Sequence, residues 1–104
     1  MNGLKTFDGY TLRAAPNPYN PDKGNMTIEY ELPDNISKGE LIIIDSGGNY
    51  VYGWNCSGTP KGLYRIPGGW NGRNGNGKKV SEGIYIIYLS LNGDVKASWI
   101  FAVK

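Results

Sequence analysis

Few side chains in this sequence have the means to do chemistry, and their spacing argues against most reactions. There is no histidine and one cysteine, Cys56, so neither a Cys/His metal centre nor an internal disulfide is available, and no His-activated nucleophile can be assembled. Cys56 reads as a small, partly buried filler. Glu29 and Glu31 alternate with apolar residues in MTIEYEL, which puts both on the solvent side of a strand, whereas a glycosidase pair must face across a cleft. The run GWNGRNGNGKK at residues 69–79 suggests a phosphate cradle, but it lacks the GxxxxGK[ST] spacing and no helical pattern follows it, so it reads as a tight turn. Asp22, Asn25, Asn71, Asn74 and Asn76 offer oxygens to Ca²⁺, yet without EF-hand spacing and with little charge. The expectation is a chain with no catalytic residue, no cofactor and no metal site.

Aromatic side chains are the more informative set. With Tyr30 and Tyr85 assigned to a core, Tyr50, Tyr52, Trp54, Tyr64, Tyr88 and Trp99 remain, more than one small core readily absorbs. They either cap the ends of the core or stand on a sheet face, where such rings stack on sugars or anchor a protein partner. Together with Ile42 and Ile44, the residues Tyr52, Trp54, Tyr88 and Trp99 form the expected interaction surface. The partner is then a protein, a second copy of the chain or a polysaccharide. Eleven basic and nine acidic residues, a net charge of +2, are scattered along the sequence, which does not suit nucleic acid. No stretch is apolar and long enough to insert in a membrane, and residues 1–15 lack the apolar run of a signal peptide. The chain is accordingly either part of a larger exported protein or a small protein complete in itself.

The elements that must position these residues are strands. At 104 residues the chain is one domain, and 16 glycines, 6 prolines and the absence of any sustained helical period favour a turn-rich all-β architecture. The stretch GWNGRNGNGKKVSEGIYIIYLSL at residues 69–91 organises it. Asn-Gly dipeptides supply positive φ cheaply and reverse the chain after Trp70, and at least one of Gly72, Gly75 and Gly77 is expected there. Trp70 then becomes a buried anchor. Residues 84–91 read as a central strand, with Tyr85, Ile87, Leu89 and Leu91 on one face and Ile84, Ile86, Tyr88 and Ser90 on the other. Tyr85 sits at the strand entry, where a buried tyrosine needs an upstream backbone acceptor.

Around that strand, residues 10–15 form a short strand stopped by Pro16, and three prolines within PNPYNP exclude helix and central strand. Residues 26–32 alternate cleanly. Residues 40–45 follow, with Leu41 and Ile43 inward and Ile42 and Ile44 left on an outer face that needs a cover. SGGN turns into residues 50–54, residues 62–67 form a short strand, and Asn92-Gly93 returns the chain as residues 94–103, where Val95, Ala97, Trp99, Phe101 and Val103 make one row and Ile100 competes from the other. Seven strands at this spacing suit a two-sheet antiparallel sandwich. Leu4, Phe7, Tyr10 and Leu12 are apolar plugs of a lead-in arm with a turn at Asp8-Gly9, which either folds back on its own domain or adds to the edge of a neighbouring copy and builds a filament.

PNPYNP, MTIEYELP, IIDSGGNYV and WNGRNGNGKKVSEGIYIIYL together resemble the Ig-like domain of the flagellar hook-capping protein FlgD, and are similar to the C-terminal sorting domains of type IX secretion cargo. The resemblance covers residues 14–104; its most specific parts are the Trp-Asn-Gly-Arg turn and Gly-Ile-Tyr, that is Trp70, Asn71, Gly72, Gly77, Gly83 and Tyr85. It implies an Ig-like or fibronectin type III-like β-sandwich that is not an enzyme, belongs to an extracellular or cell-surface protein and serves docking, sorting or assembly. Asn71 stands where the family mostly has Asp, and Tyr19 where Phe is usual. Residues 1–13 lie outside the pattern and are taken as an arm separate from the domain at 14–104.

Overall fold

A computed structural model describes residues 9–104 and the backbone of residues 5 and 6. The chain runs through β1 (Lys5–Thr6), β2 (Thr11–Ala15), β3 (Thr27–Leu32), β4 (Glu40–Asp45), β5 (Tyr50–Asn55), β6 (Gly62–Arg65), β7 (Gly83–Leu91) and β8 (Asp94–Val103). Among the described residues the one helical element is a single 3₁₀ turn, Pro21–Lys23. The prolines that bar an α-helix allow this turn, because Pro21 stands at its start, where no backbone donor is required, and Asn20 Oδ1 accepts from Asp22 N at 2.9 Å.

Two antiparallel sheets result. One has the order β1-β8-β7-β4-β5, the other β2-β3-β6. The all-β sandwich therefore sets four full strands, extended by the two-residue β1, against three. Alternation supplies its core: Leu12 and Ala14 of β2, Ile28, Tyr30 and Leu32 of β3, Leu41 and Ile43 of β4, Tyr85, Ile87 and Leu89 of β7, and Ala97, Phe101 and Val103 of β8 are all buried. Side chains directly opposite on paired strands share a face, so Leu41 with Leu89, Ile43 with Ile87, and Tyr85 with Phe101 line the interior.

Two bulges disturb the alternation, and each re-aims an aromatic or apolar row. Between Leu89 and Ser90 the register of β7 on β8 slips, so that Ala97 pairs Leu89 but Val95 pairs Ser90. Val95 therefore leaves the inward row and is exposed, while Ala97, Phe101 and Val103 keep it. In β5 the slip falls at Ile43/Ile44, where Tyr52 opposes Ile43 and Tyr50 opposes Ile44. Tyr50 is turned to solvent, and Tyr52 and Trp54 are turned inward.

The boundary expected after residue 13 does not match the structure, since it would cut β2. Leu12 is buried and pairs Tyr30, and Tyr10 is buried with the Lys96 ammonium 5.9 Å from its ring centre. Tyr10 and Leu12 are core, and the strand that carries Leu12 is one of the two neighbours of β3. Lys5 and Thr6 pair with Ser98 and Ala97 of the same chain, the fold-back arrangement; the contacts expected of Leu4, Phe7 and Asp8 lie outside the described residues.

Candidate functional site

Trp70 is the hub of one end of the sandwich. Its ring is 1% exposed and packs against Tyr19, Phe101 and Tyr85 at centroid distances of 5.8, 6.0 and 6.5 Å. Its backbone exchanges two hydrogen bonds with Met26, at 2.8 and 2.9 Å, which hold the loop to the start of β3. Gly69, at φ 66°, makes that approach possible, because a Cβ there would collide with the Met26 carbonyl oxygen. The indole Nε1 donates to the Arg73 carbonyl at 2.9 Å, so the buried ring leaves no orphan donor.

After Trp70, short polar side chains serve the backbone. Asn71 Oδ1 accepts from Arg73 N at 3.1 Å, and Asn74 Oδ1 accepts from Asn76 N and Lys78 N at 2.9 and 3.0 Å. The Arg73 guanidinium donates to the Gly77 carbonyl at 2.9 Å. Gly72 and Gly77 have φ of 78° and 82°, whereas Gly75 does not adopt positive φ. Of the oxygens weighed for Ca²⁺, that of Asp22 pairs with Lys79 and those of Asn71 and Asn74 accept from backbone N–H groups. Among the described residues no group of three or more acidic or thiol side chains converges on a metal position.

Gly83 opens β7, and two residues later Tyr85 closes the end. Its hydroxyl donates to the Ser81 carbonyl at 2.7 Å, and burial, with the Asp45 carboxylate adding to it, pushes the phenol above its usual range. Sequence reasoning gave no such role to Tyr19. It is 1% exposed, its hydroxyl lies 2.9 Å from the Gly24 carbonyl and 3.1 Å from that of Trp70, and its backbone bridges β8 through Tyr19 N to Ala102 O and Lys104 N to Tyr19 O. The available signal was a large aromatic among three prolines, a loop ring with nowhere to go but the core.

The expected interaction surface divides. Ile42, Ile44 and Tyr88 lie on the outer face of the larger sheet, as their register with Gly53, Tyr50 and Ser98 requires. Tyr52, Trp54 and Trp99 do not. All three are half-buried on the interior side and pack against the core, Tyr52 and Trp54 edge to face at 5.0 Å. Trp99 opposes Ile87, and its buried Nε1 has no acceptor among the described residues. These rings stay partly open because a three-stranded sheet cannot cover the full width of a four-stranded one. Tyr64 likewise stacks on Tyr30 at 5.6 Å. Tyr52, Trp54, Tyr64 and Trp99 therefore cap the core, whereas Tyr50 and Tyr88 stand on the outer face of the larger sheet.

What stands on the outer face of β4, β5, β7 and β8 is apolar. Tyr50, Ile84 and Ile100 are 64, 51 and 41% exposed, and Ile42, Ile44, Ile86 and Tyr88 are half-buried among them. The opposite outer face, on the three-stranded sheet, is mostly charged: Glu29 sits between Arg65 at 2.9 Å and Arg13 at 3.6 Å, with a single exposed apolar side chain, Leu63, opposite Glu31. An open hollow of about 480 Å³ beside Pro16, Pro18, Tyr19, Lys23 and Lys104 contains no carboxylate or thiol.

A sandwich of three strands against four, closed at one end by a tyrosine bonded back to the loop before its central strand, defines an Ig-like module. The chain belongs to the FlgD Ig-like domain family, which matches residues 17–94. Among solved structures it is similar to PorZ, an essential bacterial surface component of the type IX secretion system of Porphyromonas gingivalis. That likeness has 24% identity and a TM-score of 0.56 over 93% of this chain and 12% of PorZ. It is also similar to FlgD from P. aeruginosa, at 16% identity and a TM-score of 0.59 over 90% of this chain and 72% of that one. At these identities the likeness is one of fold, and this chain spans a small part of PorZ. No curated protein sequence matches it.

Proposed function

We propose that this chain is a non-catalytic docking module of an exported or surface-associated protein, which holds a protein partner against the outer face of β4, β7 and β8. The observation that carries the reading is the contrast between the two outer faces: Ile42, Ile44, Ile84, Ile86, Tyr88 and Ile100 on one, the Arg13–Glu29–Arg65 network on the other. A sheet face in contact with water alone normally alternates to polar residues, and contiguous apolar patches of this kind mark interaction sites. Membership of the FlgD Ig-like family and the likeness to a type IX secretion surface component support the setting. Polysaccharide binding has no comparable support, since Tyr52, Trp54 and Trp99 face inward. Filament growth by exchange of the arm is disfavoured by β1 lying on its own β8.

A photo-crosslinking residue at position 100, compared with one at position 31 on the charged face, tests the reading in cells that make the protein. Discrete protein adducts from position 100 alone are expected. No adduct there, or the same adducts from both positions, would refute it.

A further inference from the structure

The register of the larger sheet aligns its outer residues across the strands. Tyr50 opposes Ile44, Ile44 opposes Ile86, and Ile86 opposes Ile100, so one straight row of large apolar side chains crosses all four full strands. At the spacing of paired strands the row is about 14 Å long. The next row, about 7 Å along the strands, holds Ile42 and Tyr88 between Gly53 and Ser98, and on the other side lie Ile84 and Ala102. Tyr50 reaches over the bare backbone of Gly53, its hydroxyl 3.0 Å from where a Cβ would be, and so fills the gap the glycine leaves. Across the four full strands the face is continuous, and the described residues of these rows carry no charged side chain.

We propose that this face packs on the same face of a second copy of the chain, about a two-fold axis that lies between the two sheets and passes at Ile86. The proposal rests on the docking reading above and names its partner. Three observations select a second copy. Among the described residues the rows of the four full strands are neutral, so superposing them on themselves brings no like charges together, and they offer a differently charged partner no complement. Ile86 lies inside the apolar area along both directions, with Ile44 and Ile100 beside it across the strands and Ile84 and Tyr88 beside it along β7. An isologous contact requires just such a self-matching patch. The area also fits. With Tyr50, Ile84 and Ile100 roughly half exposed and four neighbours less so, each copy contributes about 500 Å², and the pair about 1,000 Å², the low end of specific interfaces. Aligned stacking of two such faces at about 10 Å would produce a four-layered sandwich with a dry middle.

Sedimentation equilibrium of the full chain tests this. The expected result is a mass rising from one copy toward two between about 10 μM and 1 mM, the range of a weak, specific contact. Ile86→Lys and, as a second variant at a more exposed site, Ile100→Lys should each weaken the dimer at least tenfold while keeping the circular dichroism of the parent; Glu31→Lys, on the other face, should leave it unchanged. Because position 86 meets its own copy, Ile86→Lys and Ile86→Glu should each be monomeric alone and should pair when mixed. A parent chain that stays monomeric at 1 mM, a dimer that survives both lysine variants, or a mixture that fails to pair would each overturn the proposal. A monomeric parent chain that still gives adducts with other proteins from position 100 in cells would remove the dimer and leave the docking reading standing.

Discussion

Truncating Trp70 is expected to be the most damaging single change in the chain. Trp70→Ala removes a ring with three aromatic neighbours and an internally bonded N–H, and should lower stability by about 3 to 5 kcal/mol in denaturant titration. Tyr19→Phe keeps the ring and deletes only the hydroxyl shared by the Gly24 and Trp70 carbonyls; a loss of about 1 kcal/mol is expected. Burial holds the Tyr19 phenol above its usual range, so its contribution is intact below the ordinary tyrosine pKa and disappears as pH rises through the higher folded value. Alkaline unfolding should therefore begin at a different pH in Tyr19→Phe, a difference read by circular dichroism above about pH 10. The loop glycines separate in the same way. Gly72→Val meets both positive φ and Pro21, 2.7 Å from a Cβ, and should cost more than about 1 kcal/mol. Gly75→Val, with open space and no positive φ, should stay within about 0.5 kcal/mol, as thermal midpoints will report.

The hairpin between β4 and β5 depends on one carboxylate. Asp45 accepts from the Asn49 and Gly47 backbone N–H groups at 2.9 Å each and from the Asn49 amide at 3.2 Å. The bonds from Asn49, then that from Gly47, hold its pKa below the usual carboxylate range. A depressed pKa stabilises above the unfolded value and loses that stabilisation as pH falls through the folded one. The thermal midpoint should accordingly drop on acidification below about pH 4, and Asp45→Asn should flatten that part of the curve. Elements of this kind were legible in the sequence to very different degrees. β3, β4 and β7 as far as Leu89 declared themselves and their faces through alternation, and Ile42 and Ile44 lie outside as read; Ser90, expected on the outer face with Tyr88, is buried just past the bulge after Leu89. β5 did not, because YVYGW reads as one aromatic row until the bulge at Val51 parts Tyr50 from Tyr52 and Trp54. Trp99 was on the right row but was counted as surplus, since a tally of aromatics ignores how much a sandwich end can cap. Tyr19 had no period to be read by.

At the scale of the whole molecule, the two sheets are joined at one end by parts of the chain far apart in sequence. Tyr19 is bonded between Ala102 and Lys104, Asn17 reaches the Ala102 N–H at 3.0 Å, and the ring of Tyr19 lies on Trp70. The aromatic hub is thus complete only when residues near 20, 70 and 101–104 are all present. A chain emerging from a ribosome can assemble β2, β3 and the β4–β5 hairpin early, yet it cannot close this end until residue 104 is clear of the exit tunnel. Stalled nascent chains ending a few residues before the tunnel has released Ala102 should remain protease-sensitive throughout, and those with about 40 more residues of tether should become resistant in one step, as a cooperative single domain does. Until Ala102 and Lys104 are available, Tyr19 lacks its backbone partners on β8, so the closing of this end is the step of folding that waits longest on the growing chain.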